Sequence, residues 1–452
     1  MTLYQIIKSL QIVQGNIAKQ SILDSHKDNV LLKAYLKATY DPSLSYYQKA
    51  VPKHGKPTGR QASFDQADID HAITVFAQRM VTGHAAKVVM QKWLEDQNSE
   101  EDQELCRLLI ARSIGAGVGD TMVLKAFPDL YFIPPYMRCS LMTEKIRSHF
   151  SKLKRILVQK KADGAFIYLV NAEDGDNKGY TRQGSLYPNW LVERLLYRIS
   201  GDHEGVFIGE ALVVCNGVLL DRKTGNGILN SILSGDAEDY ETNSSYRFVM
   251  EAWDHLSWDE FQAGVSKRSL EDRYNAVVAI LSQDGLNVSV IQTDIVDTLE
   301  KALAICFKYQ QEEFEGGVIK DPASPWKDHT SPFNIKVKVK FEAEYVITAI
   351  YEGEGKAKGM LGGISVETAD GLLKSNCGTG FDDKTRKEFW KLGEDYLKGK
   401  VVMLSANDVI TKKGSDTVSL NLPVYEELRF DKVIADSLPR VYEQLEDAKQ
   451  GK

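Results

Sequence analysis

Two lysines end an apolar run in the stretch ILVQKKADGAFIYL, and the second, Lys161, opens a K-x-D-G pattern that closes at Gly164. Solvated side chains at a strand end would explain them without any chemistry. The chemical explanation is a lysine kept as a neutral amine, because neighbouring cations and a partly dry setting disfavour the ammonium form. Such an amine can attack a carbonyl carbon or a phosphorus atom. The pattern alone does not decide, since composition produces it in about one chain in ten of this length.

Further side chains suited to phosphate chemistry follow downstream. They are Arg182 in the turn of TRQG, Glu210 in GVFIGEALVV, Trp253 at the end of RFVMEAW, Glu315 in FEGGVIK, and Lys336 and Lys338 in IKVK. Each alone has a structural explanation as an edge charge, a core aromatic or a solvated face. Together they fit adenylyl transfer: carboxylates hold hard divalent ions, an aromatic ring stacks on a purine, and lysines neutralise charge on phosphate.

The elements that must position these residues change in character along the chain. Residues 1–135 carry apolar residues at spacings of three and four, which predicts an all-α domain. Residues 136–340 mix short β-rich runs with helices and predict an α+β domain. Residues 341–452 predict five or so strands, with one helix over DDKTRKEFWKLGEDYL, as in a small all-β barrel. The glycines of GAGVG follow a helix rather than a strand, so we interpret them as a joint between helices whose amides can face a phosphate.

Composition is that of an ordinary globular protein, with 452 residues, 43% hydrophobic and 26% charged. This length predicts two to three domains. No apolar run approaches the roughly 18 residues that span a bilayer, and the N-terminus reads as a first helix rather than a signal peptide. The five scattered cysteines lack zinc-ligand spacing and predict reduced thiols, and thus a cytoplasmic protein.

Positive charge is concentrated locally although the net charge is −7. The segment 145–161 carries seven Lys or Arg and no acid, and the segments 52–60 and 335–340 are also basic. Nucleic-acid binding needs a local positive surface, which these segments could supply, whereas solvated surface charge is the alternative explanation.

The ordered series KADG, TRQG, GEALV, AWDHL, FEGGVIK, IKVK and, near the C-terminus, LRFDK resembles the ATP-dependent DNA ligases, and in particular the type found in T-even bacteriophages. The likeness includes the helical N-terminus and the stretch DRKTGNGILNSILSG. It implies a multidomain fold: an all-α DNA-binding domain (1–135), a nucleotidyltransferase core of ATP-grasp-like ligase type (136–340) and a C-terminal OB-fold (341–452). The expected partner is nicked double-stranded DNA, encircled by a monomer in the host cytoplasm, without a membrane.

The resemblance also implies a role for each residue. Lys161 would take AMP from ATP and pass it to the 5′-phosphate of a nick, which the 3′-hydroxyl then attacks. The remaining roles are adenine contact for Gln159 and Trp253, phosphate contact for Arg182, binding of Mg²⁺ or Mn²⁺ for Glu210 and Glu315, ribose contact for Glu210, contact with the α-phosphate for Lys336 and Lys338, and orientation of the leaving pyrophosphate for Arg429 and Lys432.

Three departures from the family pattern stand in the sequence. Phe166 occupies a position where the family usually has arginine. Before IKVK the phage relative has an arginine, whereas this chain has only Lys327 and His329 as nearby basic residues. Before RFDK a basic residue is expected, whereas this chain has Glu427. Two alternatives therefore stay open. One is a related nucleotidyltransferase that acts on RNA, against which the helical N-terminus argues. The other is a non-catalytic DNA-binding descendant of a ligase.

Overall fold

The computed structural model describes residues 1–48, 50–59, 62–199, 203–283, 285–312, 314–337, 340–411 and 418–449. The chain divides into two compact units. The first comprises residues 1–136, 164–266 and 273–290, and the second comprises residues 137–163, 267–272 and 291–452. Among the helices in these described residues, none combines the length and the apolar character needed to cross a bilayer.

The first unit begins with helices and continues with a mixed sheet. Its helices are α1 (Leu3–Ile12), α2 (Asn16–Ser25), α3 (Val30–Tyr40), α4 (Gln66–His71), a π-helix (Ala72–Ala77), α5 (Gly83–Glu95), α6 (Glu100–Ile110), α7 (Asp120–Ala126), α9 (Asn189–Leu196), α10 (Arg222–Leu233), α11 (Glu238–Glu241), α12 (Trp258–Ala263) and α13 (Leu270–Leu281, whose first three residues are assigned to the second unit). Its strands are β3 (Ala165–Asn171), β4 (Lys178–Tyr180), β5 (Gly205–Cys215), β6 (Val218–Leu219), β7 (Tyr246–Leu256), β8 (Val265–Ser266) and β9 (Val288–Val290).

The second unit contains two five-stranded sheets. Its helices are α8 (Glu144–Phe150), α14 (Leu299–Gln311), a 3-10 helix (Gly355–Ala357), α15 (Asp383–Leu392), α16 (Glu394–Leu397) and α17 (Leu438–Lys449). Its strands are β1 (Arg138–Ser140), β2 (Ile156–Lys160), β10 (Thr293–Val296), β11 (Gly317–Lys320), β12 (Trp326–Lys327), β13 (Thr330–Val337), β14 (Phe341–Glu352), β15 (Leu361–Glu367), β16 (Lys374–Cys377), β17 (Val401–Ala406), β18 (Asp408–Thr411), β19 (Val418–Asn421) and β20 (Val424–Arg429).

The N-terminal helices form because their apolar residues line one face and their ends are capped. In α1 the buried residues Leu3, Ile6, Ile7 and Leu10 follow helical spacing, and Thr2 forms a capping box with Gln5. These side chains join one core with those of α3, α5 and α6. The GAGVG joint lies between α6 and α7, as the sequence predicts.

The sheet of the first unit has the strand order β4-β3-β5-β7-β9, and β6 pairs with β5. Apolar side chains from β3, β5 and β7 form its core together with those of α9, α10 and α13. The strands β3, β5 and β7 pair antiparallel, so their register fixes which side chains share a face.

The sheet that carries Lys161 has the strand order β1-β13-β11-β2-β10. Helix α14 covers one face, where Ile156 and Val158 of β2 pack with Ala302 and Cys306. The C-terminal sheet has the order β16-β15-β14-β17-β20, beside the pair β18-β19, and encloses a separate core. The described elements therefore mix helix and sheet, as predicted for the central part of the chain.

Candidate active site

Lys161 lies just past β2, where β11 begins on the neighbouring strand. Its N–H donates to the carbonyl of Gly316 at 2.9 Å, and its ammonium group donates to the carboxylate of Glu315. The adjacent Lys160 behaves differently, because its ammonium group lies 4.8 Å from the centre of the Phe314 ring. Lys161 is therefore paired with a carboxylate that lies just before the start of the neighbouring strand.

The register of the sheet places Gln159 and Lys336 in one row, on either side of the strand β11. Gln159 pairs with Val318, which in turn pairs with Lys336, so the three side chains form one row across β2, β11 and β13. Gln159 is 1% exposed, and within the described residues its amide nitrogen has no hydrogen-bond partner. A buried donor without a partner costs about 1–3 kcal/mol, so a ligand acceptor at this point would be strongly favoured.

Lys320 and Cys139 also lie near this row, and sequence reasoning missed both. Lys320 ends β11 and is 5% exposed. Burial raises the pKa of the Cys139 thiol, and the nearby charges of Lys320, Lys336 and Lys161 offset part of that rise. Three positive charges therefore act on one thiol, and this local excess of positive charge favours a phosphate. The signal available in the sequence was the lysine that closes FEGGVIK, two residues after Val318 on the same strand face.

Glu210 lies in a row with Phe166 and Glu251 across β3, β5 and β7 of the first unit. One of its carboxylate oxygens accepts the N–H of Gly164 at 2.7 Å. The last residue of the K-x-D-G pattern is thus bound directly to the carboxylate that the sequence singles out on β5.

Trp253 lies at a β-bulge two residues beyond Glu251 in β7. The register shifts so that Ile208 faces Asp254 and Gly209 faces Ala252, which leaves Trp253 as the extra residue of β7. Its ring centre lies 5.9 Å from that of Phe166. Phe166 therefore lies next to both Glu210 and Trp253, two of the residues that the sequence predicts.

A buried ion pair supports the strand end that carries Trp253. Arg273 donates to the two carboxylate oxygens of Asp254, from Nε at 2.7 Å and from Nη2 at 3.2 Å. The side chains are 0% and 2% exposed. Two parallel hydrogen bonds between charged groups fix the orientation of Asp254 and hence of the backbone next to Trp253.

Arg182 lies in a tight turn, as predicted. The N–H of Gly184 donates to the carbonyl of Thr181 at 3.0 Å, and Gly184 has a φ of 93°, a left-handed conformation that glycine adopts readily. The exposed guanidinium lies 5.4 Å from the centre of the Tyr136 ring, which itself contacts Phe166 edge-on.

The remaining predicted cations belong to the C-terminal strands or lie outside the described residues. Arg429 donates to Glu344 at 2.5 Å, and the ammonium group of Lys432 lies 3.1 Å from the other oxygen of that carboxylate. Glu427, the acid found where a basic residue is expected, lies 3.6 Å from Arg429. Lys338 lies outside the described residues.

The donor chemistry at Glu210 and Glu315 suits a divalent ion that arrives with a phosphate. In the described part of the chain, no three His, Cys, Asp or Glu side chains are grouped closely enough to hold a metal by themselves. Magnesium is usually held by one or two carboxylates together with substrate phosphates and water, so each of these carboxylates, taken by itself, fits this mode of binding.

Comparisons with known proteins agree with this chemistry. Residues 137–340 match the family model described as ATP dependent DNA ligase domain. The chain is 26% identical over 481 residues to the DNA ligase of Enterobacteria phage T4, an alignment that covers 97% of this chain and 98% of that protein, and the same figures hold for the DNA ligase of Enterobacteria phage T6. The solved structure named Pmar-Lig_PreS3 covers 95% of this chain, and is itself covered to 99%, with a TM-score of 0.69 at 20% identity. This last likeness concerns the fold alone.

Proposed function

We infer that this chain is an ATP-dependent DNA ligase, since residues 137–340 are an ATP-dependent DNA ligase domain and nearly the whole chain resembles phage DNA ligases. It seals nicks in DNA through an adenylated intermediate. The observation that carries the chemistry is the setting of Lys161: its amine is paired with Glu315, and Lys320 and Lys336 lie on strands β11 and β13 of the same sheet. The family-model match and the phage relatives confirm the predicted resemblance to the ATP-dependent DNA ligases of T-even phages.

The first step forms a lysyl-AMP. The Nζ atom of Lys161 attacks the α-phosphorus of ATP, the new N–P bond forms, and the bond from that phosphorus to the β-phosphate oxygen breaks to release pyrophosphate. The Nζ atom gives up a proton to the solvent in this step, and in the described structure the amine donates a hydrogen bond to the carboxylate of Glu315. In the described conformation the amine must leave this carboxylate before it can attack.

Two further displacements complete the reaction. An oxygen of the 5′-phosphate at the nick attacks the same phosphorus, the N–P bond breaks, and Lys161 recovers its amine. The 3′-hydroxyl then attacks the adenylated 5′-phosphate, the phosphodiester bond forms, and AMP leaves.

The other side chains take roles in binding and charge neutralisation. The amide of Gln159 donates to an adenine nitrogen, which satisfies its buried donor, and Trp253 stacks on the base. Lys336 neutralises charge that develops on the α-phosphate, and Lys338 is assigned the same role from its position in IKVK. Arg182 contacts a phosphate of the nucleotide or of the nick. Arg429 and Lys432 orient the leaving pyrophosphate.

Glu210 and Glu315 would hold Mg²⁺ or Mn²⁺, which supplies positive charge to the phosphates when bound. One oxygen of Glu210 accepts the N–H of Gly164, and the carboxylate is assigned to the metal and the ribose. The oxygen of Glu315 that accepts from Lys161 becomes available when the amine leaves.

The division into domains of residues 1–135, 136–340 and 341–452 stays a prediction. The C-terminal strands are proposed to form an OB-fold. The helical segment is proposed to bind duplex DNA, and the protein is proposed to act as a monomer. The basic segment 145–161 supports the nucleic-acid role, because Lys145, Arg147, Lys152 and Lys154 are exposed. Each phosphate contact releases counterions, so binding to nicked DNA should weaken steeply with salt.

The test incubates the protein with α-labelled ATP and Mg²⁺, denatures it, and maps the label by mass spectrometry. The expected result is one adenylate on Lys161, absent from Lys161→Ala and retained in the matched neighbour variant Lys160→Ala. No covalent label on the wild type would support the non-catalytic alternative. Sealing of nicked duplex DNA compared with joining of single-stranded RNA ends separates the DNA enzyme from an RNA ligase.

A further inference from the structure

The two peptide groups that meet at Gly164 are each held by a side chain. Its N–H donates to Glu210 at 2.7 Å, and its carbonyl accepts the side-chain amide of Asn226 at 3.2 Å. A carbonyl oxygen can only accept, so the amide nitrogen of Asn226 must be the atom that faces it. Neither the K-x-D-G pattern nor the series of motifs around it assigns any role to Asn226.

The backbone at Gly164 also runs close to β5. A Cβ atom placed on Gly164 would lie 2.4 Å from the carbonyl oxygen of Ala211 and 2.6 Å from Cδ2 of Leu212. Only glycine fits this position without a shift of the backbone. The hydrogen bond to Glu210 orients the peptide group that precedes the Gly164 Cα atom, and the hydrogen bond from Asn226 orients the peptide group that follows it.

Asn226 contacts the Gly164 carbonyl from α10, a helix that is held in place by its own core contacts and its own N-terminal cap. Ile228, Leu229 and Ile232 on the buried side of α10 belong to the core of the first unit. Asp221 caps the helix through the N–H groups of Lys223 and Thr224. The amide of Asn226 is thus carried by a fixed helix, on the first turns of the stretch DRKTGNGILNSILSG.

We propose that Asn226 is a positioning residue for the nucleophile of this ligase. Gly164 follows Lys161-Ala162-Asp163 directly, so holding the Gly164 carbonyl restrains the backbone at one end of the turn that carries the reactive amine. The other end is fixed by the bond from the N–H of Lys161 to the carbonyl of Gly316. Asn226 acts through the backbone and touches neither ATP nor DNA in this role. The inference rests on the proposed function of Lys161.

The effect on rate follows from geometry. Loss of one neutral hydrogen bond weakens an alignment by about two- to tenfold, and a displacement of the reacting atom by 1 Å can cost about a hundredfold. Asn226→Asp preserves the size of the side chain but removes the donor and presents a carboxylate to the Gly164 carbonyl. We expect it to slow the attack of Lys161 by about ten- to a hundredfold.

The experiment is a single-turnover measurement of lysyl-AMP formation with α-labelled ATP, in wild type, Asn226→Asp, Asn226→Gln and the matched variant Asn230→Asp. Asn230 is exposed one turn further along α10, so its variant introduces the same charge without the Gly164 contact. The expected result is a reduced rate constant at saturating ATP for Asn226→Asp, with the final amount of lysyl-AMP and the apparent affinity for ATP unchanged. Asn226→Gln keeps a donor and should recover part of the rate.

A merely structural role gives a different result. It would lower the final amount of lysyl-AMP in proportion to the unfolded fraction and would leave the rate constant of the active fraction unchanged, which would overturn the proposal. Equal rate constants in Asn226→Asp and Asn230→Asp would overturn it as well. Absence of lysyl-AMP in the wild type would instead refute the proposed function. Sealing of a nick that already carries a 5′-adenylate bypasses the attack by Lys161, so it should proceed normally in Asn226→Asp.

Discussion

Replacement of Gly164 by alanine should slow adenylylation of Lys161 by about a hundredfold. The added Cβ would lie 2.4 Å from the Ala211 carbonyl oxygen, whereas atoms that are not bonded prefer separations of about 3.5–4.0 Å. The Gly164 peptide must therefore move away from β5 by roughly 1 Å, a displacement that costs about a hundredfold when it reaches a reacting group. Overpacking of this kind also lowers the free energy of unfolding by about 1–3 kcal/mol.

Rapid-quench measurement of lysyl-AMP formation, combined with thermal unfolding of the same samples, separates these two effects. Gly227→Ala is the matched control, because a Cβ on Gly227 of α10 meets nothing within 4 Å. That control should keep the wild-type rate and gain up to about 1 kcal/mol, since alanine favours a helix over glycine. A Gly164→Ala enzyme that forms lysyl-AMP within about threefold of the wild-type rate would refute the argument that this peptide positions the amine.

Three further outcomes are expected. Asp254→Ala should lower the free energy of unfolding by about 3–5 kcal/mol, because the fully buried Arg273 loses its bidentate partner. Urea denaturation measures this free energy, and a loss below about 1 kcal/mol would contradict the prediction. Joint replacement of Arg429 and Lys432 by alanine should slow lysyl-AMP formation but spare sealing of a pre-adenylated nick; equal slowing of both steps would argue against their pyrophosphate role. Burial raises the pKa of Tyr40 to about 12, so its neutral phenol stabilises the fold fully below pH 10 and loses this contribution as the pH rises from about 10 to 12. Circular dichroism should show loss of helix between about pH 10 and 12. An unchanged signal up to about pH 12 would contradict this prediction.

Local patterns predicted many of the elements, because they report which side chains a helix or strand can bury. The run AFIYLVNA was predicted as a strand and forms β3 (Ala165–Asn171). The single helix predicted over residues 382–397 is instead two helices, since Gly393 between them has a φ of 80° and ends α15. The C-terminal helix α17 was not predicted, although Val441 and Leu445 bury one side of it at helical spacing.

Long-range pairing could not be predicted, because a strand pattern carries no information about its partner. Strand β1 pairs in parallel with β13, as when Arg138 lies beside Thr330. The row of Gln159, Val318 and Lys336 depends on this sheet order and on its register, neither of which follows from spacing along the chain. The sequence therefore predicted the types of side chain at the site but not the pairing of Lys161 with Glu315.

Phe166 shows how the structure answers a question that the sequence leaves open. Its ring lies edge-on to Tyr136 at 5.1 Å and to Tyr168 at 4.7 Å, and 5.9 Å from Trp253. An arginine at this position would replace a ring that contacts three other aromatic rings, and such pairs contribute about 0.5–1.5 kcal/mol each. Arg182 already brings a guanidinium to the exposed side of this cluster, over Tyr136. The phenylalanine therefore contributes to the aromatic packing that supports Trp253, and it leaves the amine of Lys161 and the carboxylates of Glu210 and Glu315 in place.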